Sequence, residues 1–387
     1  MPLNYASVDQ NASRYAEQAN NWLAESKKAT GKLRSLFEEA CLDTEGLKKT
    51  IEQARLSKPK LYLAKPLHED LLQSYPLGGL PESYTLLTVD GSQIVPSRHR
   101  SLQFGLINIG MLTVRFGSGE PPATKLVTEL LSYEEILRDD GNLISEEDIA
   151  LIRDMRERTL IANEISSSLP RPVLTVTDGP LDLFFPSDIQ GKKAQAAQRE
   201  VFEIDQYMER EGILSAGYID KPGSSMLHNM LDVFAELRGS TMPSQQNRKL
   251  SVRDRLLLAD RILPGERSAL FEIISKRPSE PADRLRVAFF YLNVSNTAEH
   301  PWLARVEIPF WLSQHPELVS LVHAALYNDA QVLDSHPYPY SLHRAHELAV
   351  VRQAEYEEIE NLLLSRFPAD SQLSGYRSNK DYLKGLK

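Results

Sequence analysis

Two segments of this chain share the pattern that most constrains its fold, a run of β-branched and apolar residues that ends in Asp-Gly. The first is residues 84–92 (Tyr-Thr-Leu-Leu-Thr-Val-Asp-Gly-Ser), and the second is residues 172–181 (Pro-Val-Leu-Thr-Val-Thr-Asp-Gly-Pro-Leu). Such runs favour buried strands, and a glycine directly after the run favours a tight turn. The pattern therefore predicts two buried strands that each carry a carboxylate, Asp90 or Asp178, at the end.

A carboxylate on a buried strand is held by a rigid element and can meet ligands from other segments with little positional freedom. Because like charges brought together need a cation between them, Asp90 and Asp178 suggest a shared site for Mn²⁺ or Mg²⁺, which suit hard oxygen ligands. Asp-Gly is also a frequent turn dipeptide, so an ordinary turn at each position is the alternative.

The chain has 387 residues, enough for one large domain with additions or for two domains, and its 42% hydrophobic content is that of a globular protein. Its single cysteine, Cys41, excludes an intramolecular disulfide and fits a reducing compartment. No run of 18 uncharged apolar residues and no signal-peptide pattern is present. We therefore expect a cytoplasmic location and no membrane partner.

The net charge of −9 argues against a protein that coats nucleic acid with its whole surface, but a local basic groove is compatible with it. Basic residues cluster at Arg98 and Arg100, at Lys192 and Lys193 with Arg199, and between 248 and 255. Lys221, in the segment Asp-Lys-Pro-Gly, is a further candidate for a phosphate contact. For each of them, a solvated surface is the alternative interpretation.

The order of the predicted elements divides the chain into four parts. Residues 1–56 predict an N-terminal helical region, whose apolar stripe packs against the main domain or against a second subunit. Residues 57–81 are rich in proline and glycine, as linkers are. Residues 82–367 predict an α/β domain with a mixed sheet flanked by helices, and residues 368–387 a polar tail.

Two predicted helices add candidate side chains to the aspartates. A helix that begins at the capping box of residues 145–148 carries Glu157 and Glu164, which lie seven residues apart and so nearly on one face. Side chains on that face could reach the ends of both Asp strands. An ordinary solvent-exposed helix edge would explain the two glutamates equally well. His343 and His346 lie three residues apart near the start of a closing helix predicted from about 342 to 367, where a structural role is the alternative.

Several familiar motifs are missing from the sequence. It has no Cys-rich or His-Glu-x-x-His pattern, no Walker lysine loop, no Gly-x-Gly-x-x-Gly after a strand and no Gly-x-Ser-x-Gly elbow. These absences argue against a structural or hydrolytic zinc site, ATP hydrolysis, NAD binding and a serine hydrolase.

An ordered set of short motifs resembles the NurA nucleases across residues 82–365. The motifs are Val-Asp-Gly-Ser at 89–92, Thr-Asp-Gly-Pro-Leu at 177–181, Tyr-Ile-Asp-Lys at 218–221, Leu-Pro-Gly-Glu-Arg at 263–267 and Tyr-Pro-Tyr-Ser-Leu-His-Arg-Ala-His at 338–346. The long helical N-terminus and the acidic total charge are not part of the resemblance. The second motif differs in having proline after its glycine.

The resemblance implies a ribonuclease H-like core and a toroidal homodimer. It also implies Mn²⁺-dependent (or Mg²⁺-dependent) 5′ to 3′ exonuclease activity on DNA ends, with endonuclease activity on single strands as a further expectation, and a hexameric HerA-type translocase as partner. Asp90 and Asp178 match the motif aspartates, and His346 matches the histidine. For the helix glutamate of the family, Glu157 is the first candidate, then Glu164 and Glu129. Lys221, Arg98, Arg100, Lys192 and Lys193 would grip phosphates.

Two other functions compete with a DNA nuclease. One is a catalytically inactive DNA-binding or scaffold subunit of a translocase complex, for which the aspartates would be dispensable. The other is a ribonuclease H-like enzyme that acts on RNA, such as an Argonaute-like slicer, although no guide-binding regions are recognisable around the core.

Overall fold

The computed structural model describes residues 4–58, 61–100, 102–138, 140–181, 192–239, 253–276, 286–334 and 336–367. They belong to two compact units. One comprises Met1–Gly78, Ile219–Ala282 and Arg286–Ser313, and the other Gly79–Tyr218, Asp283–Leu285 and Gln314–Lys387. We call them the first and the second unit.

The described residues form nine helices and nine strands. In chain order they are α1 (Tyr5–Leu42), α2 (Thr44–Ser57), β1 (Leu61–Pro66), β2 (Tyr84–Ile94), β3 (Leu106–Phe116), β4 (Ala123–Leu130), α3 (Glu146–Glu164), β5 (Val173–Asp178), α4 (Lys192–Arg210), β6 (Leu214–Ile219), α5 (Met226–Leu237), α6 (Asp254–Leu258), β7 (Phe271–Lys276), β8 (Val287–Asn293), β9 (Leu303–Pro309), α7 (Pro316–Ala330), α8 (Tyr340–Ala349) and α9 (Gln353–Leu364). A 3-10 turn covers Leu312–Gln314.

The second unit contains a mixed sheet in the order β6-β5-β2-β3-β4. Strands β6, β5 and β2 run parallel, whereas β3 and β4 form an antiparallel meander with β2. Helix α3 supplies the crossover from the meander to β5 and buries Ile149, Leu160 and Ile161 against Leu87 and Val89 of β2. The predicted mixed sheet flanked by helices is confirmed.

The first unit contains the antiparallel strand order β1-β7-β8-β9 together with the N-terminal helices. Helices α1 and α2 pack on α5 and bury Leu33, Phe37, Leu47 and Ile51. The predicted N-terminal helical region is thus confirmed, and the C-terminal part of its apolar stripe packs within its own unit.

Composition misled the sequence interpretation at the segment 57–81, which was predicted as a linker. Residues 61–66 form β1, whose Leu63 and Ala64 are fully buried beside β7. The prolines that suggested a linker lie outside the strand or at its last residue, Pro66, so they limit its length without preventing its pairing. Strand β7 has no counterpart in the sequence-based prediction.

Two predicted boundaries were also wrong. Strand β2 does not turn at Gly91 but continues to Ile94, because its antiparallel pairing with β3 extends to Ile94 opposite Leu106. The predicted closing helix is two helices, α8 and α9, separated at residues 350–352, where the C-cap Val350 leaves helical geometry.

Candidate active site

Strand β2 presents Asp90 to one face of the sheet of the second unit. Asp90 lies opposite Gly110 of β3, and a side chain at Gly110 would point into α8. The Asp90 side chain is 14% exposed, and its Oδ2 lies 2.7 Å from Nδ1 of His346 on α8. A strand carboxylate and a helix imidazole, 256 residues apart in the chain, therefore share a hydrogen bond.

The sheet fixes the position of α8 by close approach and by hydrogen bonds. A Cβ at Gly110 would lie 2.4 Å from the carbonyl oxygen of Ala345, so only glycine allows the helix this near. Asn108 Nδ2 and the Ser92 hydroxyl both donate to the carbonyl of Ala349, the last residue of α8. These side chains end the helix against β2 and β3 and set His346 over Asp90.

The buried carboxyl group of Glu157 approaches β2 from the opposite face. Successive strand residues point to opposite faces, and a Cβ at Gly91 would lie 2.5 Å from Glu157 Oε1. Gly91 therefore provides space for the glutamate of α3 and does not form a turn. Asp90 and Glu157 reach neighbouring positions of one strand from its two sides.

Burial determines the protonation of Glu157. Desolvation and the charge of Asp154 raise its pKa, the Arg153 guanidinium 3.2 Å away lowers it, and the charge of Asp90 raises it further, so that the pKa is about 8. Arg153 also donates to Gln93 Oε1 over 2.9 Å, which ties α3 to β2 beside the carboxylates. Near neutral pH, Glu157 can therefore both hold and release a proton.

Asp178 ends β5, the parallel neighbour of β2. The register pairs Val89 with Thr177, so the next residues, Asp90 and Asp178, stand side by side and point to the same face. Gly179, with φ +100°, makes the turn that the sequence predicted at this second Asp-Gly. Two carboxylates are thus aligned at the point where the two parallel strands separate.

We also compared the chain with models of known protein families. The family described as NurA domain matches residues 84–351, more than half of the chain. The chain belongs to the NurA family. The matched range includes Asp90, Glu157, Asp178 and His346. This membership supports a nuclease, as the motif order had implied.

Other comparisons of this NurA-family chain give weaker likenesses. The crystal structure of the NurA nuclease from Sulfolobus solfataricus has a TM-score of 0.46 and 13% identity, covering 88% of this chain and 96% of that one. A structure of NurA with manganese has a TM-score of 0.36 and 11% identity, covering 76% and 92%. The catalytic domain of human Endonuclease V has a TM-score of 0.31 and 12% identity, covering 83% and 98%. A search of curated protein sequences finds no significant match.

The donor set of this NurA-family site suits a hard divalent cation. Asp90 and Asp178 are aligned on one face, so a bound cation would offset the negative charge of these two carboxylates. Within the described part of the chain, no three His, Cys, Asp or Glu side chains are gathered closely enough to hold a metal ion. Asp90 is engaged with His346, and binding would require these side chains to reorient.

The other acidic and histidine candidates have different partners. Glu164 of α3 forms an ion pair with Lys125, and Glu129 of β4 forms one with Arg156 at 3.0 Å. His343, which the sequence grouped with His346, lies 3.5 Å from Glu347 instead. The structure therefore brings Glu157, and neither Glu164 nor Glu129, beside the strand that carries Asp90.

Three of the basic candidates have contacts in the described part of the structure. Arg98 donates to Asn142 at 3.0 Å, and Arg100 stacks 4.7 Å from the ring centre of Tyr356. Lys221 belongs to the first unit, where its Nζ lies 3.5 Å from the ring centre of Trp302. Lys192 and Lys193 begin α4, but their side chains lie outside the described part of the structure.

Sequence reasoning missed the residues that position this site. Arg153, Asn108 and Gly110 contact Glu157 or α8 and belong to no recognisable motif. Ser92 lies in the Val-Asp-Gly-Ser motif, but its hydrogen bond to α8 is not apparent from the motif. The capping box at residues 145–148, which the sequence did show, sets the start of α3 and hence the turn on which Arg153 and Glu157 lie. The roles of the residues that contact α8 can be recognised only from the packing of the folded chain.

Proposed function

We propose that this chain is a divalent-metal-dependent deoxyribonuclease that hydrolyses phosphodiester bonds at DNA ends. The observation that carries the proposal is the alignment of Asp90 with Asp178 on adjacent parallel strands, with His346 hydrogen-bonded to Asp90 and Glu157 buried behind the same strand. Membership of the NurA family supports the same reaction.

The residues have separable roles in this proposal. Asp90 and Asp178 would hold Mn²⁺ or Mg²⁺, with His346 as a further ligand or as the acid that protonates the leaving oxygen. The bound ion would lower the pKa of a water and stabilise charge on the phosphoryl oxygens. Glu157 would orient the attacking water or accept its proton, for which a pKa of about 8 is suited. Arg153 would keep the Glu157 carboxyl group in place.

The finer activity and the partners are part of the same proposal. The resemblance to the NurA nucleases implies 5′ to 3′ exonuclease action, with endonuclease action on single strands as a further expectation. It also implies a HerA-type hexameric translocase as partner, a role in DNA end resection for repair and a homodimer. Lys221, Arg98, Arg100, Lys192 and Lys193 would contact phosphates without reading bases. Among the described helices, none has the length and apolarity needed to cross a membrane. A cytoplasmic location stays a prediction.

Digestion of end-labelled single- and double-stranded DNA tests the proposal. We expect cleavage with Mn²⁺ or Mg²⁺, no cleavage in EDTA, and a loss of about 100-fold or more in Asp90→Asn and Asp178→Asn, because each removes a negative ligand. Asp260→Asn is the matched control, since Asp260 is an exposed aspartate of the first unit, paired with Arg34. Cleavage that persists in EDTA, or an Asp90→Asn variant with full activity, would refute the mechanism.

The alternative is a DNA-binding scaffold without catalysis. It predicts DNA binding that is unaffected by Asp90→Asn and weakened by Arg98→Ala with Arg100→Ala, with no cleavage by the wild-type chain under any metal. Measuring binding by fluorescence anisotropy beside cleavage distinguishes the two functions.

A further inference from the structure

The position of Asp178 depends on the turn that follows it. Strand β5 pairs with β2 only as far as Thr177, and its last pair with β6 joins Asp178 to Tyr218. Gly179 then donates its N–H to the carbonyl of Tyr218 over 2.8 Å, and its φ of +100° turns the chain away from the strand. The direction in which Asp178 points is therefore set by where residues 179–181 lie.

Gly217 of β6 makes room for this turn. Gly217 pairs with Thr177, so both belong to the face of the sheet opposite to the one that Asp178 faces. A Cβ at Gly217 would lie 2.6 Å from the Gly179 carbonyl oxygen and 3.0 Å from the Leu181 nitrogen. After Asp178 the chain therefore crosses to the face that α3 covers, where Leu181 is buried.

Arg158 of α3 binds the turn on that face. It is a buried arginine, and its Nη2 donates to the carbonyl oxygen of Leu181 over 2.5 Å. Its Nη1 lies 3.4 Å from Oδ1 of Asp205 on α4. The shorter of the two contacts is the one with the turn. The guanidinium thus joins α3, α4 and the segment after β5.

The aspartate partner compensates the buried charge of Arg158. Burial raises the pKa of Asp205 to about 6 while the charge of Arg158 opposes this rise, so the carboxylate is ionised at about pH 7.5. A buried guanidinium without such a partner would be costly, because burial removes its hydration. The ion pair therefore allows Arg158 to be buried, whereas the bond to Leu181 directs it at the turn.

We propose that Arg158 is a positioning residue for Asp178, which it holds beside Asp90 by fixing the turn after β5. This inference rests on the proposed function, in which both aspartates bind the cation. Arg158 acts through the backbone of residues 179–181 and directly follows Glu157 on α3. The helix that brings Glu157 to β2 therefore also sets the place of the second aspartate.

Binding of Mn²⁺ to the full chain tests this role separately from DNA cleavage. Arg158→Met combined with Asp205→Leu removes the bond to Leu181 without leaving a buried charge, and apolar replacement of a whole buried ion pair commonly preserves stability. The electron paramagnetic resonance signal of free Mn²⁺ gives the dissociation constant. We expect it to rise about tenfold or more in the double variant, because residues that orient metal ligands contribute to affinity on this scale. Circular dichroism checks that the variant is folded.

Two single variants complete the comparison. Arg158→Lys keeps a positive charge beside Asp205, but a single ammonium group lacks the rigid fork that reaches two partners. Its Mn²⁺ affinity should lie between those of the wild type and the double variant, about threefold or more below the wild type. Arg171 donates to the carbonyl of Glu211 over 2.9 Å at the opposite end of β5. Arg171→Gln removes this similar bond and should leave Mn²⁺ affinity within about twofold of the wild type.

The outcomes separate this inference from the proposed function. Wild-type Mn²⁺ affinity in the double variant or in Arg158→Lys overturns the role of Arg158 and leaves the nuclease proposal standing. An equal loss of affinity in Arg171→Gln does the same, because the effect would then not be specific to the turn. If the double variant does not fold, Arg158→Lys decides. A wild-type chain that neither binds Mn²⁺ nor cleaves DNA overturns both proposals.

Discussion

At the scale of single residues, helix α3 offers a matched pair of glutamates. Glu157 is buried beside Gly91, while Glu164, two turns further on, forms an ion pair with Lys125. We expect Glu157→Gln to lower DNA cleavage by about 100-fold or more, because a group that handles a proton near neutral pH is lost. Glu164→Gln should stay within about twofold. Cleavage assays in Mn²⁺, with melting curves of both variants, check this prediction.

The opposite result, an inactive Glu164→Gln and an active Glu157→Gln, would assign the catalytic role to Glu164 instead of Glu157. The sequence placed both residues nearly on one helix face, which cannot separate residues seven apart, and the order of preference came with the family resemblance. What distinguishes them is the missing side chain at Gly91 on another element. A glycine after an aspartate predicts a turn locally, whereas here its conformation is extended and its use is to admit Glu157.

At the scale of secondary-structure elements, α8 depends on Gly110 for its approach to the sheet. The added Cβ of Gly110→Ala would lie 2.4 Å from the Ala345 carbonyl, and backbone cannot move aside as a flexible side chain can. We expect a loss of about 1–3 kcal/mol in the free energy of unfolding and reduced cleavage, because His346 moves with the helix. Urea denaturation and cleavage assays measure both effects.

Gly79→Ala is the control for Gly110→Ala, since no atom lies within 4 Å of a Cβ added at Gly79. A Gly110→Ala variant with wild-type stability and activity would contradict the close packing of α8.

The existence and type of most elements could be predicted from apolar periodicity and capping residues. The strand β1 and the break between α8 and α9 could not, because the partner strand β7 and the packing of α8 decide them.

At the scale of the whole molecule, three buried carboxyl groups of the second unit link its stability to pH. Burial raises the pKa of Glu157 to about 8, and burial raises the pKa values of Asp205 and Asp329 to about 6 each. Between the ordinary pKa near 4 and these values, the folded chain holds protons that the unfolded chain has released. The free energy of unfolding of the second unit should therefore fall as pH rises from about 4 to 8, by up to ~1.4 kcal/mol per pH unit for each titrating group.

The Asp329→Asn variant tests this linkage away from the proposed ligands. Asp329 accepts hydrogen bonds from the backbone and hydroxyl of Ser341 at the start of α8. The variant should lose part of the slope between about pH 4 and pH 6 and keep the slope between pH 6 and pH 8, where Glu157 titrates. Denaturation in EDTA at several pH values gives both slopes. An unchanged slope between pH 4 and pH 6 would contradict the assigned shift.

The two-sided approach of Asp90 and Glu157 to β2 has a consequence for how the molecule can be inactivated. The His346 side depends on α8, held by Gly110, Asn108 and Ser92, whereas the Glu157 side depends on α3 and Arg153. A change that displaces one helix should leave the side chain supplied by the other, His346 of α8 or Glu157 of α3, in position. Loss of function can therefore start from either helix, and the two sides come together at residues 90 and 91 of β2, where a change in this dipeptide would affect both.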